Sequence, residues 1–361
     1  MVIKAQTKGI EAIGVMSGTS LDGMDICCAR FKLQGSGAWT YEIIQADAVS
    51  YPCGVKEKLA TAQLMDAQTY ARFHSDYGLY IGGQVKAFMQ EHRLCPDIIA
   101  SHGHTIFHQP QHRFTAQIGS GAGIAAESGV DTVCDFRTTD VALYGQGAPL
   151  VPVGDRHLFG SYDYCLNLGG FSNISSEQNG IRSAYDISPV NYVLNHYTRS
   201  VGKEFDRDGE MARSGKVSAA LLDALNSLDF YTRTGPKSLG REWVEETVIP
   251  LIDAYPIGLN DKLATFCEHV AIQTNRHIKG GKVLVTGGGA WNKYLIARMA
   301  AAAPQCVFHI PDALTVNFKE ALLFAFLGAL YICNIPNCLS SVTGAKYDCI
   351  GGALYKGNLH N

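Results

Sequence analysis

The chain has 361 residues, 47% of them hydrophobic and 17% charged, with a net charge of −3. That composition excludes a disordered or collagen-like protein, the length predicts two domains, and the lack of any Lys/Arg run argues against nucleic acid or an anionic membrane as partner. Eleven cysteines without a CxxC pair, behind a start (MVIKAQTKGIE) with no apolar signal core, read as reduced thiols of a cytoplasmic protein. The longest apolar stretch, Ala321 to Cys333, falls short of the roughly 20 residues of a membrane span.

The first elements predicted are three strands, Glu11–Met16, Met24–Leu33 and Trp39–Tyr51, joined by short Gly- or Ser-bearing turns. Apolar residues three and four apart predict a helix over Thr69–His92. Strands follow at Asp97–Ser101, near Thr115–Ile118 and at Thr132–Asp135, with a helix across Gly123–Ser128. Strands first, then helices alternating with strands, indicate a mixed α/β domain. From Tyr162 the order restarts: strands Tyr164–Leu168, Phe171–Ser175 and Gly180–Ile187, then a helix over Asn191–Val201. Two halves that each open on a glycine-bearing hairpin suggest a duplicated domain with a cleft between the copies. Later come helices at Asp261–Ile278 and Phe318–Cys333. Between them a buried strand, Lys282–Thr286, runs into a triple glycine and a helix over Lys293–Ala303.

Several stretches have both a plain and a chemical reading. Ser17-Gly-Thr-Ser-Leu-Asp-Gly23 is either hairpin punctuation or a loop whose amides and hydroxyls cradle a phosphate, with Asp22 facing a metal. Asn167-Leu-Gly-Gly-Phe-Ser-Asn173 is either turn chemistry or a second phosphate turn. Gly287, Gly288 and Gly289 give either close helix–strand packing or contact with a nucleotide; neither the dinucleotide fingerprint nor a P-loop fits them. Asp186, at a strand end before Ser-Pro, is either a turn cap or a base for an attacking hydroxyl or water. His102 and His104, placed on one strand, would share a face, and with His108 and His112 would form a Zn²⁺ set or line a substrate cleft. Arg137 is a surface charge or half of an ion pair, and Gly145–Pro149 a linker between domains or something more. Glu320, in the first turn of the late helix, suits the helix dipole whatever else it does. Leu228–Asn260 is a lid or a plain surface connection, the latter preferred.

Taken together, IGVMSGTSLDGMD, SHGHT, DFRTTD, GQGAPLVP, NLGGFSNIS, YDISPVN, VTGGGAWN and KEALLFAFLGAL, in this order from residue 13 to about 330, resemble the anhydro-N-acetylmuramic acid kinases over nearly the full length. The resemblance implies the actin-like ATPase and sugar kinase fold, two ribonuclease-H-like domains flanking an ATP cleft, cut here as 1–135 plus about 345–361 and 136–344. It implies ATP and Mg²⁺ as cofactors, with a first phosphate loop of Ser17, Gly18, Thr19, Ser20, Asp22 and Gly23, Asp22 holding the metal through water. Asn167, Gly169, Gly170 and Asn173 would be the second loop, and Gly287, Gly288 and Gly289 would meet the nucleoside. Asp186 would be the general base, and His102, His104, Thr105, Arg137 and Glu320 would bind the sugar. Relatives are commonly dimers, so a homodimer is implied as well. The chain departs from the family pattern after Asp186, where Ile187 to Asn191 reads ISPVN in place of TGPGN. It departs again at His104, which replaces a common Gln, and at Leu143-Tyr144, where smaller residues are usual. The alternative is an ordinary sugar kinase of the same fold that opens no ring.

Overall fold

A computed structural model describes residues 1–18, 21, 23–233 and 237–357, so the expectations placed on Thr19, Ser20 and Asp22 lie outside the described residues. The chain forms two compact units, Met1–Leu158 with Phe318–Asn361, and Phe159–Asn317. The divisions therefore fall at 158/159 and 317/318, not at 135/136 and 344/345. The displaced segments belong with the first sheet: the helix Val151–Leu158 packs on its third strand, and the late helix lies across its first strand.

In the first unit, β1 (Ile10–Ser17), β2 (Gly23–Leu33) and β3 (Trp39–Ser50) form an antiparallel meander. β4 (Ile98–Ser101) runs parallel to β1. β5 (His104–Gln109) and β6 (Phe114–Ile118) leave the sheet as a separate hairpin, and β7 (Thr132–Cys134) runs parallel to β4. The sheet order is β7-β4-β1-β2-β3, with the strand Ala353–Tyr355 added antiparallel beyond β7. β1 is apolar on both faces (Ile10, Ala12, Ile13 and Val15 are buried), as a strand covered on both sides must be. One cover is the 26-residue helix Ala67–His92. Asp66 caps it by accepting from the amides of Gln68 and Thr69, and Tyr77, Ile81, Val85 and Phe88 reach the core. Each such side chain fully buried contributes about 1.5–3 kcal/mol.

The other cover is the helix Ala313–Ile332, whose regular geometry breaks at Phe318 (φ −114°, ψ 17°). Glycine in the sheet lets it approach: a Cβ on Gly14 would lie 1.9 Å from the Ala321 carbonyl oxygen and 2.4 Å from the Ala325 amide nitrogen. The helix is long and apolar enough to cross a membrane, with mean hydropathy 1.5, but 72% of that stretch is buried inside the protein, as befits a core helix.

In the second unit β8 (Tyr164–Leu168), β9 (Phe171–Gln178) and β10 (Ile181–Pro189) form a second antiparallel meander. β11 (Gly281–Thr286) lies parallel to β8, and β12 (Cys306–His309) parallel to β11, giving the order β10-β9-β8-β11-β12. Numbered within each unit, both sheets read 3-2-1-4-5 with the same strand directions. The restart seen in the sequence is thus a repeated topology. The helix Leu259–Asn275 covers the second sheet with Leu263, Phe266, Cys267 and Val270.

Candidate active site

The first loop leaves β1 at Ser17 and enters β2 at Gly23. Ser17 is buried, and its hydroxyl is committed to protein: Tyr51 donates to it at 2.6 Å, Tyr77 lies at 3.0 Å and Nδ1 of His104 at 2.9 Å. The Leu21 amide donates to the Gly18 carbonyl at 3.3 Å, and Leu21 itself takes φ 59°, in the left-handed region. Gly23 is required by packing, since a Cβ there would meet the Val49 carbonyl oxygen at 2.3 Å.

His102 and His104 do not share a strand face. Gly103, at φ +67°, turns the chain between β4 and β5, and His104 opens the hairpin. Both histidines are buried, and each has its own partner. Arg137 donates to Nε2 of His102 through Nη2 at 2.9 Å and Nε at 3.2 Å, and through Nη1 to the Gly147 carbonyl at 2.6 Å. Because a guanidinium only donates, Nε2 is unprotonated and Nδ1 carries the hydrogen toward the Gly103 carbonyl at 2.8 Å. Burial first, then Arg137, holds the His102 pKa at about 3, so the ring stays neutral. Burial also lowers the pKa of His104. Thr105 accepts from Gln117 Nε2 at 3.3 Å. His108 bonds Thr115 through Nδ1 at 3.0 Å, and His102, His104, His108 and His112 do not gather as metal ligands. Among the described residues the one such group is buried Asp140, Cys338 and Cys349.

Gly145–Pro149 is no plain linker: the Gly147 amide donates to Asp140 Oδ2 at 2.7 Å, and the Gln146 amide to the Thr343 carbonyl at 2.7 Å. Glu320 lies in the interior of Ala313–Ile332, two residues past the break, rather than in a first turn. Its side chain reaches solvent, yet desolvation raises its carboxyl pKa against the pull of Arg137 and then Lys319. Facing it electrostatically is Asp25 on β2, whose pKa is pushed up to about 6 by burial first and Glu320 second. Asp25 ends the first motif but carried no expectation. The signal was there, since a carboxylate inside an apolar strand is depleted unless it serves a purpose.

In the second unit the sheet aligns the expected residues in one row. Thr286 on β11 registers with Asn167 on β8, Asn167 with Asn173 on β9, and Asn173 with Asp186 on β10. The Gly169-Gly170 turn lies at the end of this row, and its carbonyls accept from the amides of Val190, Asn191 and Tyr192, seating the helix Asn191–Arg199. Gly287, at φ +79°, packs on the same turn: a Cβ would meet Asn167 Oδ1 at 2.7 Å and the Leu168 carbonyl at 2.9 Å. Gly289 packs on Leu168 as well, whereas a Cβ on Gly288 would find nothing nearer than 3.7 Å. The two glycine turns are thus one surface, open above Gly170 and Gly288.

Asp186 precedes a bulge in β10. Its amide donates to the Lys237 carbonyl and its Oδ2 accepts from the Leu239 amide, each at 2.9 Å. Burial raises its pKa, and the Leu239 hydrogen bond opposes that rise. The stretch Leu228–Asn260 is therefore more than a surface connection, for it holds Asp186 from behind and buries Phe230, Tyr231, Val244 and Val248.

A twice-built 3-2-1-4-5 sheet with glycine turns at its strand ends defines the class of actin-like ATPases and sugar kinases. The family model described as anhydro-N-acetylmuramic acid kinase matches residues 10–357. The anhydro-N-acetylmuramic acid kinase of Pasteurella multocida (strain Pm70) is 34% identical over 374 residues, covering 95% of this chain and 96% of its own. The chain belongs to the anhydro-N-acetylmuramic acid kinase family. Among solved structures it is similar to (R)-2-hydroxyglutaryl-CoA dehydratase component A of Acidaminococcus fermentans (TM-score 0.48, 12% identity, 88% of this chain and 97% of that one). It is also similar to the ROK hexokinase of Thermus thermophilus (TM-score 0.35, 11% identity, 90% and 100%).

Proposed function

We propose that the protein phosphorylates O6 of 1,6-anhydro-N-acetylmuramic acid with ATP while water opens the anhydro bridge, giving N-acetylmuramic acid 6-phosphate and ADP, in cytoplasmic recycling of cell-wall sugar. Family membership supports the substrate and the kinase chemistry. Asp186 carries the mechanism: its carboxylate is fixed by a backbone amide and made more basic by burial, as a general base requires. Asp186 takes a proton from water as the water oxygen bonds to C1 and the C1–O6 bond breaks. O6 bonds to the γ-phosphorus as the bond to ADP breaks.

ATP, with its Mg²⁺, supplies the phosphoryl group. The open glycine surface of Gly169, Gly170 and Gly288 fits the close approach of an anion. In this reading Asn167 and Asn173 flank the second phosphate loop, and Gly287 and Gly289 hold the turn that meets the nucleoside. Ser17, Gly18, Thr19, Ser20, Asp22 and Gly23 make up the first phosphate loop, and Asp22 would be the residue that holds the metal. His102, His104, Thr105, Arg137 and Glu320 bind the sugar; neutral His102 accepts from Arg137 and orients the guanidinium, whose remaining N–H groups are the donors.

The test is one reaction of protein, MgATP and 1,6-anhydro-N-acetylmuramic acid in ¹⁸O-water, read by mass spectrometry. A phosphorylated, ring-opened sugar with ¹⁸O at C1 is expected. A phosphorylated sugar with its bridge intact would overturn the hydrolytic step in favour of an ordinary sugar kinase.

A further inference from the structure

The loop Leu143–Gly147 holds an aromatic side chain that the reaction above does not use. Tyr144 takes φ +72°, in the left-handed region that a bulky residue rarely adopts, and is 52% exposed. Such strain persists where the surrounding structure over-determines it, and it clusters at binding and active sites. Two cations converge on its ring: Arg113 Cζ lies 4.4 Å from the ring centroid and Lys346 Nζ 4.3 Å. Arg113 is itself left-handed, at φ 60°, in the turn between β5 and β6. Among the described residues neither cation forms an ion pair. The nearest acids in sequence are engaged elsewhere. Asp348 accepts from the Ser340 amide and hydroxyl at 2.7 Å, and buried Asp140 accepts from Gly147 and Thr343. Two like charges gathered on one ring repel each other, and an anion placed with both removes that repulsion.

The loop and the hairpin connect this cluster to residues assigned above to the sugar. The loop's far end, the Gly147 carbonyl, is held by Arg137. Its near end is tied down by the Lys346 amide, which donates to the Leu143 carbonyl at 3.1 Å. The hairpin that bears Arg113 at its tip begins at His104. Resting on the functional reading above, we propose that Arg113 and Lys346, gathered on Tyr144, form a subsite for the carboxylate of the acidic sugar, the ring lying against the apolar part of the same substituent. The lactyl ether of a muramic acid carries this carboxylate; the corresponding glucosamine lacks it.

The test is calorimetric titration of the full-length protein with 1,6-anhydro-N-acetylmuramic acid and with 1,6-anhydro-N-acetylglucosamine. The comparison is between wild type, the Arg113→Gln/Lys346→Gln double variant and Tyr144→Ala. Wild type is expected to bind the acidic sugar at least about tenfold more tightly. Both variants lose about 10- to 100-fold for the acidic sugar and stay unchanged for the neutral one, which also shows that they are folded. A double variant that keeps its affinity for the acidic sugar, or weakens both sugars alike, overturns the subsite. Wild type binding both sugars equally overturns the subsite and leaves the kinase reading standing. Wild type binding neither overturns both.

Discussion

The amide of Leu239 donates to Oδ2 of Asp186 at 2.9 Å, across 53 residues of chain. The contact fixes one carboxylate oxygen without neutralising it. Asp186→Asn keeps an oxygen for the Leu239 amide but no base, so turnover is expected to fall about 10²- to 10⁴-fold with a melting temperature no lower than that of wild type. The rate should also fall on acidification through a pKa raised above the ordinary carboxylate value, because only the ionised form accepts the proton. Normal turnover in the Asn variant would remove Asp186 from the mechanism.

Asp25 predicts a pH dependence of stability. Its pKa is about 6 in the folded chain against 3.8 for an ordinary aspartate, so the folded state holds this proton more tightly than the unfolded state. Its stabilising contribution is complete below about pH 3.8 and is lost as pH rises through about 6. Asp25→Asn should therefore be more stable than wild type at pH 7.5, by on the order of 2–3 kcal/mol, and the gap should close toward pH 4. Glu320→Gln should shrink the same gap by removing the nearby charge. Melting curves from pH 4 to 8 check both, and parallel curves for wild type and Asp25→Asn would refute the assignment.

Gly287→Ala forces a side chain into a left-handed residue and against Asn167 and Leu168. A stability loss of about 1–3 kcal/mol is expected, with MgATP affinity reduced at least about tenfold because both glycine turns must shift. Gly288→Ala, whose Cβ is unobstructed, serves as the comparison in a nucleotide titration. Equal affinities in the two variants would separate the turn from nucleotide binding.

Lys319 Nζ and Asp155 Oδ1 form an ion pair at 2.8 Å, with only 7% and 4% of the two side chains exposed. Removing one charge takes the counter-charge from a buried group: Lys319→Met is expected to cost about 3–5 kcal/mol, and Lys319→Met/Asp155→Leu to recover most of it. Denaturant unfolding of both variants measures the difference. A single variant as stable as wild type would mean that the pair contributes little.

Local pattern and glycine placement made most of the fold legible. The three opening strands, the long helix and the restart at Tyr164 follow from alternation and apolar spacing. The late helix begins five residues before the expected Phe318, because β-branched Thr315 and Val316 and then Asn317 are poor helix formers by local propensity. The candidate site was legible where it sits on strand ends, as with Asp186 and the glycine turns. It was not legible where the chain folds back from a distance. The Leu239 amide behind Asp186, the Tyr51 and Tyr77 hydroxyls on Ser17, and the split of His102 from His104 by one left-handed glycine leave no local trace. Asp25 is marked in the sequence only as a carboxylate inside an apolar strand; the burial that chiefly raises its pKa, and the nearness of Glu320 that adds to it, arise from the fold.

The first unit is interrupted and the second is continuous, which sets an order on synthesis. By residue 317 the second unit has all of its chain, while the first still lacks the helix that fits against Gly14 and the strand that pairs with β7. A ribosome making this protein holds a first sheet open on one face until the segment from Phe318 onward arrives. Chaperone demand should therefore concentrate on the N-terminal sheet, and a chain stopped at 317 should aggregate through its uncovered apolar face even with its second unit folded.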